Sequence, residues 1–217
     1  MTDGLTLWGR ASSNNVQKLL WALAELGLRY EHILVGGVHG GLDDPAYRAI
    51  NPNGLVPALR DGGLVLWESH AILRYLAARY GQQSLWRVDP VQRAVVDQWT
   101  DWTATTFQPA WISLFWHKVR TPTGQQDARA IADSHARTIA ALRILDATLI
   151  DRDYLAGDRL SYADIAAGVA LYRWFTMPID RPAMPGVENW YRRLQLRPGF
   201  RQAVMVSYAE LVGRLAY

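Results

Sequence analysis

Apolar positions in the first part of the chain keep changing their spacing, from alternation to helical periodicity and back, which predicts alternating strands and helices. Leu5-Thr6-Leu7-Trp8 reads as a short strand ended by Gly9 and a polar cluster, Ser12-Ser13-Asn14-Asn15. Val16, Leu19, Leu20, Leu23 and Leu26 then recur at helical spacing, with Gly27 where a C-cap belongs. Residues 30–35 make a second strand, followed by a loop rich in glycine (Gly36, Gly37, Gly40, Gly41) and a short helix over 45–49. Asn53-Gly54 turns the chain through Val56-Pro57 into a strand over 58–60, and Asp61-Gly62-Gly63 joins it to 64–67 as a hairpin. From Ser69, the positions Ile72, Leu73, Leu76 and Tyr80 mark a third helix. The order β-α-β-α-β-β-α predicts a small mixed-sheet α/β domain over residues 1–81.

Strand signals stop after Gly81. A polar connector over 82–89 leads to Pro90, a residue suited to a first helical turn, and the helix that begins there runs toward Arg120. Pro109 is expected to kink that helix or divide it. Ile131, His135, Thr138, Leu142, Leu145 and Leu149 state another helix, Ser161-Tyr162-Ala163-Asp164 opens a third, and shorter ones cover 185–196 and 198–206. Residues 90–217 are therefore expected to form an all-helical domain.

Composition removes whole classes of chemistry. None of the 217 residues is cysteine, which excludes disulfides, thiolate-ligated zinc, Cys-x-x-Cys redox chemistry and a cysteine nucleophile. The net charge is only +3, the lysines are Lys18 and Lys118, and the arginines are scattered, so nucleic acid is not an expected partner. The longest apolar run, residues 19–24, falls far short of the roughly 20 residues of a membrane span. With no secretory signal pattern at its start, a cytoplasmic protein is expected. Phosphate loops, dinucleotide glycine motifs, zinc-protease motifs and serine-hydrolase elbows are absent from the sequence. His32, His39, His70, His117 and His135 lack ligand spacing, and no metal site is expected.

Three loops of the first domain remain as candidates for chemistry. Ser12 to Asn15 enter a helix, where one residue suffices for capping, while unpaired N–H groups and the helix dipole favour an anion. Val56-Pro57 heads a strand; a trans turn is ordinary there, whereas a cis bond would present the Val56 backbone as an edge on which a peptide ligand can pair. Glu68-Ser69 opens the third helix, with Ser69 as a plausible cap and Glu68 as a buried carboxylate able to receive an ammonium group.

Those loops carry a family resemblance. Ser-Ser-Asn-Asn-Val-Gln-Lys, Asn-Pro-Asn-Gly-Leu-Val-Pro-Ala-Leu and Leu-Trp-Glu-Ser-His-Ala-Ile-Leu-Arg-Tyr-Leu, with Tyr-Leu-Ala-Gly-Asp-Arg-Leu-Ser-Tyr-Ala-Asp-Ile-Ala in the helical half, resemble the bacterial glutathione transferases. The resemblance implies a thioredoxin-like N-terminal domain that binds glutathione and a helical domain that shapes the pocket of a second, hydrophobic electrophile. It implies that Val56, before a cis Pro57, pairs with the cysteinyl backbone of glutathione, and that Glu68 and Ser69 hold its γ-glutamyl group. Ser13 is the sulfur contact by the serine-type pattern, with Asn15 and then Ser12 as alternatives. His39 is the candidate for the glycyl carboxylate, and Asp101 the candidate to reach across a homodimer, with Asp97 one turn earlier as its competitor. Trp8, Arg10, Phe107, Trp111 and Phe115 are expected to line the second-substrate pocket, although the last three sit at a spacing that core packing also explains. A glutathione-dependent reductase, or a binding protein of the same fold, is the alternative to conjugation. Ser161 and Asp164 are read as a structural capping pair.

Overall fold

A computed structural model describes residues 4–82 and 84–215. Its sheet has four strands in the order β2-β1-β3-β4: β1 (Leu5–Trp8), β2 (Tyr30–Ile33), β3 (Ala58–Asp61) and β4 (Leu64–Trp67). β1 lies parallel to β2, with Leu5 opposite Tyr30, and antiparallel to β3, with Leu7 opposite Leu59; β3 and β4 form the hairpin. Every residue of β1 is buried because the strand is central and covered on both faces. Leu5 and Leu7 join the main core with α1 (Asn14–Glu25) and α3 (Ser69–Tyr80), while Trp8 packs on the opposite face with Tyr47 of α2 (Pro45–Ile50). Gly62, with φ of 56°, supplies the positive dihedral of the two-residue hairpin loop.

β2 ends two residues sooner than its apolar pattern suggests. β1 stops at Trp8, opposite Ile33, and the last bond across the pair runs from the Gly9 N–H to the Ile33 carbonyl at 3.0 Å. Leu34 and Val35 have no strand left to pair with.

Beyond the connector the described chain is helical: α4 (Pro90–Trp102), α5 (Gln108–Phe115), α6 (Ala128–Leu149), α7 (Tyr162–Gly168), α8 (Leu171–Thr176), α9 (Pro185–Gln195) and α10 (Pro198–Ala203). Pro109 does not break the path from Pro90 to Arg120. A π turn over Thr103–Phe107 precedes it, a second follows over Trp116–Arg120, and the backbone stays in the right-handed region at both junctions. The wider turn shifts the carbonyls ahead of the proline ring and so relieves the clash an α-helix would impose.

α1 joins the two halves. Its Trp21 is fully buried and meets Phe200 of α10 edge-on at 4.9 Å. Gly199 permits that approach, since a Cβ there would stand 3.1 Å from Ala24 and 3.2 Å from Trp21. Glu25, at the end of α1, accepts from Trp21 Nε1 at 2.8 Å and from Arg197 Nε and Nη2 at 2.8 and 2.6 Å. Asp164 is held by the Ser161 N–H and hydroxyl, each at 2.9 Å, and by the Leu155 N–H at 2.8 Å, which is the capping role read from the sequence.

Candidate functional site

The chain leaves β1 at Gly9 and enters α1 through a tight turn in which the Ser13 N–H donates to the Arg10 carbonyl at 3.0 Å. Ser13 takes the N-cap position with extended backbone, yet its hydroxyl makes no cap bond. Ser12 Oγ and both polar atoms of the Asn14 amide are buried without a hydrogen-bond partner among the described residues. Four capping side chains in a row are thus not spent on capping. Ser12, Ser13, Asn14 and Asn15 instead line one cavity of about 220 Å3, together with Val56, whose bond to Pro57 is cis.

Beneath this loop lies a residue that the sequence reading passed over. Lys18 is fully buried, and its Nζ donates to Asn15 Oδ1 at 3.0 Å and to Gln108 Oε1 at 2.5 Å, with His70 Nε2 at 2.8 Å and Ser69 Oγ at 3.4 Å as its other polar neighbours. Burial pulls its pKa down to about 7, against the pull of the Glu68 carboxylate. Burial, followed by the charges of Lys18 and Arg74, holds His70 far below its ordinary range, so its ring is neutral. This nitrogen therefore ties α1, α3 and α5 together and holds the Asn15 amide by its oxygen. The signal was available: a rare lysine beside the apolar positions Val16, Leu19 and Leu20 has to find partners inside.

Glu68 corrects an expectation. Its side chain is exposed rather than buried, and Glu68, not Ser69, occupies the cap position of α3, with a left-handed φ of 72°. That turn carries the chain out of β4 and leaves Ser69 buried as the first residue of the helix.

His39 is exposed in a 3-10 turn over Gly37–His39 and is not brought to the cavity. Asp101 and Asp97 are both engaged within the chain by Arg74 of α3: Nε bonds Asp97 at 2.6 Å, and the other end of the guanidinium bonds Asp101. Asp97 also accepts from the Tyr162 hydroxyl at 2.9 Å.

The expected aromatic wall is mostly core. Trp8 packs on Tyr47 and Ala58 beneath the Arg60 guanidinium, Phe107 stacks on Trp102 with centroids 5.9 Å apart, and Trp111 meets Phe115 edge-on at 6.2 Å. A stripe at helical spacing selects one face of the helix, and α6 packs against α5 and the π turn before it. Only Phe115, in the last turn, reaches the cavity, beside Ile112 and Trp116. Arg10 lines it, and Gly37 leaves room for its side chain, since a Cβ there would stand 2.7 Å from Arg10 Cδ. Arg120 and Arg173 line it too, and sequence reasoning had singled out neither. Arg173 donates to the Ser12 carbonyl at 2.5 Å and lies over the Phe115 ring at 4.6 Å. Among the described residues no cluster could hold a metal ion, and no helix is long and apolar enough to cross a membrane.

Residues 7–84 match the family model described as glutathione S-transferase, N-terminal domain, and residues 128–193 match glutathione S-transferase, C-terminal domain. The chain is 42% identical over 204 residues to glutathione S-transferase GstB of Escherichia coli K12, covering 93% of this chain and 98% of that protein. It is 32% identical over 196 residues to glutathione S-transferase F9 of Arabidopsis thaliana, covering 87% of this chain and 91% of that one. Among solved structures, the theta class glutathione S-transferase of Xanthomonas axonopodis pv. citri with glutathione bound superimposes with a TM-score of 0.91 at 47% identity, over 95% of this chain and 99% of that one. A sheet of order β2-β1-β3-β4 with a helical half behind it, matched along nearly the whole sequence, makes this chain a member of the glutathione S-transferase family.

Proposed function

We propose that this protein is a glutathione transferase that stabilises the glutathione thiolate and directs it at a hydrophobic electrophile. The observation that carries the reading is the cavity at the start of α1, where Ser12 and Asn14 keep buried polar atoms without partners among the described residues and where Val56 forms part of the wall. Glutathione runs along residues 1–81, with its cysteinyl backbone on Val56, its γ-glutamyl end at Glu68 and Ser69, and His39 available to the glycyl carboxylate. Its sulfur lies at Ser13, or at Asn15, whose amide Lys18 orients. A thiol of ordinary pKa about 8.5 is drawn toward thiolate there by hydrogen bonds and the helix dipole, a tenfold gain in the thiolate-to-thiol ratio being worth about 1.4 kcal/mol. The thiol proton leaves to water, the sulfur forms a bond to the electrophilic carbon, and the leaving group departs with its electron pair. With no cysteine in the chain, the protein contributes orientation and charge stabilisation and forms no mixed disulfide with its substrate.

Residues 90–217 shape the second pocket. The wider reading is a cytoplasmic homodimer that serves detoxification, in which Asp101 reaches a partner's glutathione; to do so, Asp101 must be shared with or released by Arg74. Retention on immobilised glutathione and conjugation of 1-chloro-2,4-dinitrobenzene above the uncatalysed rate test the assignment. Failure to be retained overturns every glutathione-dependent reading. Retention without conjugation or peroxide reduction leaves a glutathione-binding protein.

A further inference from the structure

We propose that Lys18 is a positioning residue that supplies the counter-charge of the glutathione thiolate, acting through the Asn15 amide. This deepens the transferase assignment above and rests on it. Lys18 does not line the cavity that Ser12, Ser13, Asn14, Asn15 and Val56 share. It lies fully buried behind that wall, with Nζ 3.0 Å from Asn15 Oδ1 and 3.4 Å from Ser69 Oγ. Its reach to the ligand is therefore indirect, one amide away at the sulfur end and one hydroxyl away at the γ-glutamyl end.

A buried ammonium is costly unless an anion compensates it. The groups that Nζ meets are uncharged: Asn15, Ser69, Gln108 and the neutral His70 ring. They satisfy hydrogen bonds without balancing the charge. The titratable and charged groups that act on this cluster are Glu68, His70 and Arg74 of α3, with Arg74 bonded to Asp97 and Asp101 of α4. From α5 the lysine meets Gln108, which does not ionise. Glu68 acts through its field from an exposed position, and the γ-glutamyl ammonium engages it when glutathione binds. The thiolate at the start of α1 is then the anion that Lys18 faces across Asn15. Packing alone does not require a lysine here, since Val16, Leu19 and Ala22 bury the same helix without one.

The arrangement does two things. Holding the amide by its oxygen leaves its N–H groups as what Asn15 can donate to an anion. The charge behind the amide favours thiolate over thiol, an opposite charge a few ångströms away moving a pKa by about one to three units. The coupling is reciprocal, so the thiolate stabilises the ammonium by the same factor. Burial brings the Lys18 pKa to about 7, which makes its charge responsive near neutrality to what binds. The thiol proton leaves to water and the lysine exchanges its own with water; none crosses the amide.

The lysines are Lys18 and Lys118, so isotope-labelled lysine followed by NMR gives a signal for each, assigned with Lys118→Arg. The titration is run with glutathione and with S-methylglutathione, which keeps the γ-glutamyl and glycyl groups but has no thiol to ionise. Lys18 is expected to titrate about one pH unit higher with glutathione than with S-methylglutathione, a tenfold coupling. In Lys18→Met, thiolate absorbance should place the bound thiol pKa about one unit higher, while S-methylglutathione affinity stays within about threefold of the parent. A role in packing alone would lower that affinity and leave the thiol pKa where it was. If Lys18→Met fails to fold, the lysine titration of the unaltered protein decides the matter.

Equal titration of Lys18 with the two ligands overturns this proposal and leaves the transferase assignment standing. A shift common to both assigns the counter-charge to the γ-glutamyl carboxylate beside Ser69, and no shift with either puts the ligand out of the lysine's reach. An unchanged thiol pKa in Lys18→Met overturns it as well, as does a loss of S-methylglutathione affinity that matches the loss for glutathione. Binding of neither ligand, together with no retention on immobilised glutathione, overturns both.

Discussion

Lys18 Nζ donates to Gln108 Oε1 across 2.5 Å, a bond between the helix that opens the site and the helix that walls it from the other half of the molecule. The same nitrogen meets Asn15 and Ser69, so a cation placed near the proposed thiolate also sets the distance between the two halves. Glu68, His70 and Arg74 are the titratable or charged neighbours that act on this cluster.

Lys18 makes stability depend on pH with a definite sign. Its pKa falls from 10.5 to about 7 on folding, so between those values the unfolded chain holds a proton that the folded chain has lost. Stability must rise with pH across that window, by at most about 1.4 kcal/mol per pH unit. Below about pH 7 both states are protonated and the slope vanishes. Urea unfolding from pH 7 to 9.5, as the difference between the parent protein and Lys18→Met, should show this slope. A difference that stays flat would mean that the hydrogen-bond acceptors hold Lys18 charged throughout.

Ser13 and Asn15 are separable because only one of them is already committed. The Asn15 carbonyl oxygen is occupied by Lys18, whereas the Ser13 hydroxyl makes no cap bond at the head of α1. Ser13→Ala should lower kcat about 10- to 100-fold, the loss of one hydrogen bond to a charged group, with little change in glutathione affinity. The pKa of bound thiol, followed by thiolate absorbance, should rise in parallel. A larger loss from Asn15→Ala would transfer the role to the amide, and unchanged turnover in Ser13→Ala would end the serine assignment.

Ser161→Ala should act on stability alone. The substitution removes the hydroxyl that bonds Asp164 at 2.9 Å, while the Ser161 and Leu155 N–H groups stay on the carboxylate. Burial raises the Asp164 pKa to about 6 despite these bonds, so losing one donor raises it further. A loss of roughly 0.5–2 kcal/mol in urea unfolding is expected, with glutathione affinity unaltered. A change in that affinity would show that α7 communicates with the site.

How much of this was legible in the sequence depended on the reach of each interaction. The loop from Ser12 to Asn15 and the hairpin at Gly62 are local, so adjacent residues announce them. The stripe Phe107, Trp111, Phe115 states a helix face correctly but not what covers it: all three are core, and of them Phe115 alone also borders the cavity. Lys18 and Arg173 reveal their purpose only through partners far away in the chain, Gln108 for the first and Ser12 for the second. Nothing near Arg173 in sequence marks it as a wall of the site. Glu68 was misjudged because its exposure follows from a left-handed backbone turn at a non-glycine residue, which composition does not signal.

The ion pair of Glu25 with Arg197 offers a test of what joins the halves. Glu25 is the more buried partner, with 11% of its side chain exposed against 33% for Arg197. Removing Arg197 strands a largely buried carboxylate that keeps, among the described residues, the Trp21 N–H, whereas removing Glu25 leaves a guanidinium that reaches solvent and the Tyr154 hydroxyl. The penalty for an unpaired charge grows with its burial, so Arg197→Met should destabilise more than Glu25→Gln, by about 2–3 kcal/mol against about 1 kcal/mol, the partial exposure keeping both below a fully buried pair. Arg197→Met combined with Glu25→Gln should recover part of the loss, since no charge is then stranded. Urea unfolding of the four proteins as a double-mutant cycle measures this directly. Additive losses, or the reverse order of the single variants, would show that apolar packing of Trp21 against Phe200 holds the halves together without help from the ion pair.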